Sequence, residues 1–273
     1  MGLGYVRPVS TGVRGLDDHL DGGFQRGEFT LLGAASGHGK TTLAMQFARM
    51  AAAQFPEEKV IFCSPEMRLD AIAEMEWCAQ AGLSRQSLAK HPHELERNNH
   101  VEEAVPENVI VVEMPRGSSI AELCDTVRDV QSMAHVSLVI LDYAQFVLGR
   151  IEGDKTPRYA LAQQIVEACE EISRSKSAGD EGLPRYPAVL LTSQINVTKE
   201  KGKVVDMGIR ESALFEHGAG ALVYFVREFD PETNEESGAY FRITKARFGK
   251  LGKVSVKNRA GFYAVEEDLE VKF

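Results

Sequence analysis

The residues from Phe29 to Phe47, FTLLGAASGHGKTTLAMQF, are of the types that hold the phosphate groups of a nucleotide. Glycines let a loop turn its backbone N–H groups inward, where they can surround phosphate oxygens. Lys40 adds a cation that can reach the β- and γ-phosphates, and the Thr41 hydroxyl is a suitable ligand for Mg2+. We therefore predict that the chain binds a nucleoside triphosphate. The predicted contacts come from consecutive residues: Ala35, Ser36, Gly37, His38, Gly39, Lys40, Thr41 and Thr42.

A strand and a helix are predicted on either side of this loop. Phe29 to Leu32 is a short apolar run typical of a strand, and apolar residues recur at helical spacing from Leu43 onward. The N-terminus of that helix would direct its positive dipole end toward the same anion. Ala34 stands where the first glycine of the strict pattern usually lies. The remaining glycines still leave the loop backbone free to turn inward: Gly33, Gly37 and Gly39.

Two carboxylates and an amide follow other apolar strands, whose ends would open on the nucleotide in a parallel sheet. Asp142, after the strand LVIL, can hold Mg2+ together with Thr41. Glu66 could polarise the water that attacks the γ-phosphorus, and Gln194 could sense the γ-phosphate. Simpler alternatives are an Asp that begins a loop, a Glu that pairs with a helix dipole, and an ordinary polar residue at a strand end.

Lys245 and Arg247 flank Ala246 at the end of a predicted strand, so their side chains should point to the same face. Two cations with no acidic residue close by in the sequence suit an arginine finger that acts on a triphosphate. Such a finger can come from a neighbouring subunit and neutralise charge in the transition state. The alternative is a solvated basic turn.

The order of apolar runs predicts an α/β fold. Apolar runs without polar alternation, separated by helical patterns, indicate a parallel sheet covered on both faces. The runs are Lys59–Ser64, Val109–Val112, Leu138–Leu141 and Ala188–Thr192. The helical patterns span residues 40–55, 69–82, 118–134 and 159–177, and the polar stretch 84–107 predicts a helical excursion or a loop. Consecutive strands joined by turns are predicted at Ala221–Val226, Tyr240–Thr244, Lys253–Val256 and Phe262–Val265.

Composition limits the classes of function. With 273 residues, of which 44% are hydrophobic, the chain can bury a sizeable core as one α/β domain or as one domain with additions. A net charge of −9 argues against indiscriminate binding of polyanions, so any nucleic-acid contact must come from local basic loops. The dispersed cysteines indicate reduced thiols, and no stretch is apolar enough for a membrane span or a signal peptide. The expectation is a soluble protein of the cytoplasm.

The motifs, in their order, resemble those of the RecA-like motor domain of DnaB-type replicative helicases, a group of P-loop NTPases. The matching pieces are STGVRGLDDHLDGGFQRGE, GHGKTTLAMQFA, SPEM, LVILDYAQ, SQIN, GIRES and ITKARFG. The resemblance implies a RecA-like core, mostly parallel with C-terminal antiparallel strands, formed by residues 10–273 after an N-terminal arm at 1–9. It also implies ATP hydrolysis with Mg2+ by a homo-hexameric ring that moves 5′ to 3′ along single-stranded DNA, with a replication partner or loader, in a bacterial, phage or mobile-element setting.

The resemblance also implies roles for individual residues. Phosphate and Mg2+ binding fall to Lys40 and Thr41, and the second acidic motif to Asp142. Glu66 is the implied catalytic carboxylate and Gln194 the implied γ-phosphate sensor. The implied fingers acting across the subunit interface are Lys245 and Arg247. The central DNA-binding loop would include Arg210 and Glu211.

Two basic stretches also suit contact with a DNA backbone. Gly149–Arg158 follows the Asp142 strand, and Lys199–Arg210 follows the Gln194 strand. Their flexible, glycine-containing composition suits gripping phosphates without reading bases. The predicted contacts in these stretches are Arg150, Lys155, Arg158, Lys199, Lys201, Lys203 and Arg210. The alternative is a pair of mobile surface loops.

Two other functions remain open at this point. The opening STGVRGLDDHLDGGFQRGE also resembles KaiC- or RadA-like regulatory or recombination ATPases. A nucleotide-gated DNA-binding or helicase-recruiting subunit would use hydrolysis only as a timer. LDYAQ and SPEM favour the helicase over the RadA-like alternative, and Glu66 with Lys245 and Arg247 argue against an inactive scaffold.

Overall fold

The computed structural model describes residues 7–65, 67–83, 104–114, 118–142, 158–177, 185–200, 203–208, 212–230, 232–233, 235–259 and 262–264. The helices in these ranges are α1 (Arg14–His19), α2 (Lys40–Gln54), α3 (Leu69–Ala81), α4 (Ile120–Met133), α5 (Arg158–Arg174) and α6 (Ser212–Gly218). The first strands are β1 (Phe29–Ala34), β2 (Lys59–Ser64), β3 (Val109–Glu113), β4 (Val136–Leu141), β5 (Ala188–Gln194) and β6 (Asn196–Glu200). The remaining strands are β7 (Lys203–Gly208), β8 (Ala221–Phe229), β9 (Glu236–Ala246), β10 (Gly252–Arg259) and β11 (Phe262–Ala264).

A nine-stranded sheet organises the chain in the order β11-β10-β9-β8-β1-β5-β4-β2-β3. The strands from β8 to β3 in this order pair in parallel, whereas β9, β10 and β11 are antiparallel. β1 lies between β5 and β8, so the phosphate loop after β1 emerges from the middle of the sheet. β6 and β7 form a separate antiparallel pair.

Two apolar layers cover the two faces of the sheet. On one face α1, α2 and α3 contribute residues such as Leu16, Phe47 and Ile72 to the first layer. On the other face α4, α5 and α6 contribute residues such as Val127 and Phe215. Burial on both faces explains why the central strands are continuous apolar runs rather than alternating patterns.

The predicted mostly parallel sheet with C-terminal antiparallel strands is confirmed. The helices predicted from residues 40, 69, 118 and 159 begin within two residues of those positions. The short helices α1 and α6 were not predicted, nor was the pairing of β6 with β7. The stretch after Gln194 was expected only to be flexible and basic, with a mobile surface loop as the alternative, and β6 and β7 pair there from Asn196↔Gly208 to Glu200↔Lys203. Of the polar stretch 84–107, residues 84–103 lie outside the described residues.

A largely buried ion pair joins α2 to α3. Arg49 Nη1 lies 2.7 Å from Glu76 Oε2, and the Glu76 side chain is only 1% exposed. Burial raises the pKa of the Glu76 carboxyl, and the charge and hydrogen bond of Arg49 oppose this rise. A buried carboxylate that loses its cation costs far more than the pair itself contributes.

We expect Arg49→Met to lower the free energy of unfolding by about 3–5 kcal/mol at neutral pH, because Glu76 is left buried without its partner. A carboxyl whose folded-state pKa is raised keeps its proton in acid, so the loss should shrink as the pH falls below the folded-state pKa. Chemical denaturation at several pH values measures this. The double variant Arg49→Met/Glu76→Leu should regain most of the stability. A full loss in the double variant would contradict the explanation.

Candidate active site

A cavity of about 970 Å3 opens at the C-terminal edge of the parallel strands. The phosphate loop forms one wall, α3 a second, and β9 and β10 a third. Its lining from the loop and from β5 includes Ser36, Gly37, Gly39, Lys40, Thr41, Thr42 and Gln194. The other two walls include Met75 and Ala79 from α3, and Glu236, Gly238, Val256 and Asn258 from β9 and β10. Six of the eight residues predicted to contact a nucleotide therefore line this cavity.

The loop geometry requires glycine at two positions. Gly37 and Gly39 have φ angles of 74° and 82°, in the left-handed region that other residues rarely adopt. A Cβ atom at either position would meet no heavy atom within 4 Å, so the space beside the loop is open. Gly39 also precedes α2 without a side-chain cap, which leaves first-turn N–H groups of the helix available to an anion.

Gly33 has a different role from the one predicted. It lies inside β1, where a Cβ atom would come within 2.7 Å of Ile195 and 2.9 Å of Tyr224. Close packing between strands therefore requires glycine here, and the freedom of the loop backbone depends on Gly37 and Gly39.

Asp142 lies at the end of β4, between two threonine hydroxyls. Thr41 Oγ1 donates to Asp142 Oδ2 at 2.6 Å, and Thr192 Oγ1 donates to Asp142 Oδ1 at 2.6 Å. The residue is 3% exposed, and burial raises the pKa of its carboxyl against the opposing effects of both hydroxyls and of Lys40. The structure thus brings together Lys40, Thr41 and Asp142, although about a hundred residues of sequence separate the first two from the third.

The donor set at this point suits a hard divalent cation. Mg2+ prefers oxygen ligands and binds through few protein groups together with phosphates and waters. The Asp142 carboxylate and the Thr41 hydroxyl supply such oxygens at the base of the loop. These two residues fit the predicted magnesium position.

Gln194 ends β5 beside the same loop. It pairs in register with Ala34, the last residue of β1, and its exposed side chain lines the cavity. Glu66 lies outside the described residues. Its neighbour Met67 lines the cavity, and the Met67 N–H donates to Ser64 Oγ at 3.0 Å. The chain therefore turns past the cavity immediately after β2.

Arg247 lies at the opposite edge of the sheet from the phosphate loop. The loop begins after Ala34, which is in register with Phe225 of β8, and Phe225 pairs with Phe241 of β9. Arg247 follows β9 six residues beyond Phe241, roughly 15–20 Å further along the strand direction. Its N–H donates to Gly220 O, next to the start of β1 and β8. An arginine there cannot reach the phosphate loop of its own chain.

Both finger candidates contact groups of their own chain. Arg247 Nη1 donates to both carboxylate oxygens of Glu28, at 2.6 and 2.7 Å. No acidic residue lies close to Arg247 in the sequence, but the fold supplies an acidic partner from a distant position. Lys245 Nζ donates to the His217 carbonyl oxygen at 3.2 Å. Arg247 remains 44% exposed, so a surface of another molecule can still approach it.

The predicted DNA-contact residues fall mainly outside the described part of the chain. Arg158 begins α5, Lys199 lies in β6 and Lys203 begins β7. The others lie outside the described residues: Arg150, Lys155, Lys201, Arg210 and Glu211. Within the described part of the chain, the antiparallel pair of β6 and β7 carries the second basic stretch.

Sequence reasoning missed functional candidates that depend on long-range contacts. Thr192 gave a weak signal, since it is a polar residue within a buried apolar strand two positions before Gln194. Glu28 is recognisable in the sequence as the acidic residue directly before β1. Its partner Arg247, however, lies 219 residues away. Arg227 and Glu236 gave no signal, because nothing in the sequence connects them to the phosphate loop.

Comparison with known families identifies the family to which this chain belongs. The model of the DnaB-like helicase C terminal domain matches residues 8–267. The chain belongs to this family. The family match favours the helicase over the KaiC- or RadA-like alternative that the opening residues had left open.

Curated relatives agree with the family assignment. The replicative DNA helicase DnaB of Treponema pallidum is 26% identical over 260 residues, which cover 93% of this chain and 55% of the relative. The DnaB helicase of Pasteurella multocida is 28% identical over 271 residues, which cover 94% and 55% of the two chains. The chain thus spans about half the length of these relatives.

Solved structures show the same fold. One solved ATPase domain aligns with a TM-score of 0.76 at 19% identity, covering 96% of this chain and 93% of that one. A DnaB-like replicative helicase, solved with its interactions with primase, gives 0.74 at 20% identity, covering 96% and 63%. A KaiC-like protein of Pyrococcus horikoshii aligns with a TM-score of 0.63 at 17% identity, covering 96% of this chain and 99% of that one. The RecA-like α/β core predicted from the sequence is confirmed. Among the described residues, no helix has the length and apolar character needed to cross a membrane.

We expect Thr192→Val to raise the Mg2+ concentration needed for half-maximal ATP hydrolysis by roughly tenfold, because a hydrogen bond to the charged Asp142 is lost. Titration of hydrolysis with Mg2+ at saturating ATP measures this. Thr192→Ser keeps the hydroxyl and should behave like the wild type. A normal Mg2+ requirement in the valine variant would show that Thr192 does not orient Asp142.

Proposed function

We propose that this chain is the ATP-hydrolysing motor of a DNA helicase and that each active site is completed by a neighbouring subunit. The observation that carries the proposal is the polarity of the sheet. Lys40, Thr41 and Asp142 lie at one edge, whereas Arg247 lies at the opposite edge, against Glu28. One chain therefore holds both halves of a hydrolytic site, but at positions where they cannot meet.

Repetition of one head-to-tail contact brings the two halves together. The edge of one subunit that carries Arg247 faces the phosphate loop of the next, and a rotation that closes gives a ring. This arrangement supports the expected homo-hexamer. In each site Lys40 neutralises phosphate charge, and Gln194 detects the γ-phosphate. Arg247, with Lys245 beside it, stabilises the charge that develops as the phosphoryl group departs.

ATP and Mg2+ are the ligands of this proposal. Thr41 and Asp142 would hold the metal, which when bound polarises the phosphate oxygens and neutralises their charge. Glu66, which follows β2 by two residues in the sequence, would orient and activate the attacking water. The raised pKa of Asp142 comes mainly from burial, and nearby Lys40 favours the ionised form that a metal requires.

Single-stranded DNA is the proposed track. In the sequence, the basic stretch at 149–158 follows the strand that precedes Asp142, and the basic stretch at 199–210 follows the strand that ends at Gln194. Loss of the γ-phosphate at Gln194 would therefore be transmitted first to the β6–β7 hairpin, which begins at Asn196. The proposal includes 5′ to 3′ movement in replication, a loader or other replication partner, and a cytoplasmic location in a bacterial, phage or mobile-element setting.

The first test measures ATP hydrolysis by the purified chain with and without single-stranded DNA, together with its oligomeric mass. We expect strong stimulation by DNA, a ring-sized mass and, in a second assay, strand separation. Lys40→Ala should abolish turnover with and without DNA. Arg210→Ala should remove the stimulation and leave basal hydrolysis. DNA-independent turnover by a persistent monomer would contradict the proposal and favour a regulatory ATPase.

A mixing experiment tests the shared site. Arg247→Ala and Glu66→Ala should each lose about a thousandfold or more in turnover. When the two inactive variants are mixed, some interfaces combine an intact Glu66 with an intact Arg247, so activity should reappear.

The control is a mixture of Arg247→Ala with Lys40→Ala/Arg247→Ala, in which no interface contains Arg247. Activity of the first mixture no higher than that of this control would show that Arg247 does not act across an interface.

A further inference from the structure

Arg227 connects the end of β8 to the tip of the phosphate loop. Its Nη1 atom donates to the Gly37 carbonyl oxygen at 3.4 Å, and its backbone N–H donates to His38 Nδ1 at 3.3 Å. In the second bond His38 Nδ1 is the acceptor. Arg227 thus contacts the two residues at the centre of the loop through its side chain and its backbone.

The guanidinium that contacts the loop is itself fixed on two sides. Arg227 Nε and Nη2 donate to Glu236 Oε2, at 2.8 and 2.7 Å, and the two side chains are only 20% and 18% exposed. Its Cζ atom lies 4.9 Å from the centroid of the Phe229 ring. A paired and stacked guanidinium loses little further freedom when it binds a carbonyl oxygen.

The Phe229 ring also contacts the loop. It lies 5.7 Å from the His38 ring, in an edge-to-face arrangement. Glu236, at the start of β9, lines the same cavity as the loop. Arg227, Phe229 and Glu236 therefore form one support, built from the ends of β8 and β9, for the tip of the loop.

We propose that Arg227 is a positioning residue for the phosphate loop: held by Glu236, it keeps the Gly37–His38 peptide in the conformation that receives a triphosphate. This inference rests on the proposed function. Gly37 and Gly39 allow the loop its left-handed turns, but glycine also gives the loop many other conformations. A contact that selects one of them before the ligand arrives lowers the entropic cost of binding.

The alternative roles of Arg227 give different results. If Arg227 contacts the nucleoside, its loss weakens ATP binding but not the binding of inorganic tripolyphosphate. If it contacts the phosphates directly, its loss weakens both, but it leaves the loop of the ligand-free protein unchanged. If it only joins β8 to β9, replacing both partners by apolar side chains restores the wild-type behaviour.

The test compares the wild-type chain with Arg227→Met/Glu236→Met, which removes one positive and one negative charge together. Hydrogen exchange in the ligand-free protein follows the His38 N–H, which donates to Ala35 O at 3.2 Å, and the Arg227 N–H, which donates to His38. Calorimetry then measures the affinity for tripolyphosphate and for ATP. We expect exchange at these two amides to accelerate roughly tenfold and both affinities to fall roughly tenfold, because a charge-assisted hydrogen bond to the loop is lost.

Unchanged exchange at the two amides of the ligand-free variant overturns the inference, whatever happens to the affinities. Arg227→Lys retains a cation beside Glu236 and should recover part of the protection. Lys40→Ala separates the inference from the proposed function, since it should abolish tripolyphosphate binding but leave the exchange unchanged. If Lys40→Ala binds tripolyphosphate normally, the proposed site is wrong, and the exchange data still decide whether Arg227 holds the loop.

Discussion

The parallel pairing of β1 with β5, and of β5 with β4, is the constraint on which the candidate site depends. Because these strands run in the same direction, their C-terminal ends meet at one edge of the sheet. This places the loop after β1, Asp142 after β4 and Gln194 at the end of β5 around one opening. The hydrogen bond from Thr41 to Asp142 then links the helix that follows the loop to the neighbouring strand. Both hydrogen bonds to Asp142, from Thr41 and from Thr192, join residues that are far apart in the sequence.

The antiparallel strands give the molecule its second functional edge. β9 runs against β8, so the chain returns to the edge where β1 begins, and Arg247 emerges beside Glu28. In the single chain Glu28 holds the guanidinium in place and compensates its charge. A neighbouring triphosphate carries more negative charge than one carboxylate, so it can compete for the Arg247 donors that remain exposed. The ion pair with Glu28 therefore orients Arg247 before assembly. It lowers the free energy gained in the proposed assembly only slightly.

Local patterns in the sequence were sufficient for most of the fold, because the buried strands are apolar runs with helical patterns between them. They also singled out Lys40, Thr41 and Asp142 by residue type and by position after a strand, and the structure brings these three residues together. The patterns failed where the partner is distant. Gly33 is required by Ile195 and Tyr224, and no local rule could reveal that contact. The polar composition after Gln194 concealed β6 and β7, since a hairpin away from the core needs no apolar run.

Strand β9 connects the two edges physically. Glu236 at its start holds Arg227 against the loop tip, and Arg247 follows its end, about 35 Å away for an extended strand of this length. Hydrogen bonds to β8 on one side and β10 on the other stiffen the strand along most of its length. A stiff strand transmits displacement rather than absorbing it. On the proposed function, a change at the phosphate loop of one subunit is therefore carried to the finger that this subunit offers to its neighbour, which gives successive sites in a ring a direct mechanical connection.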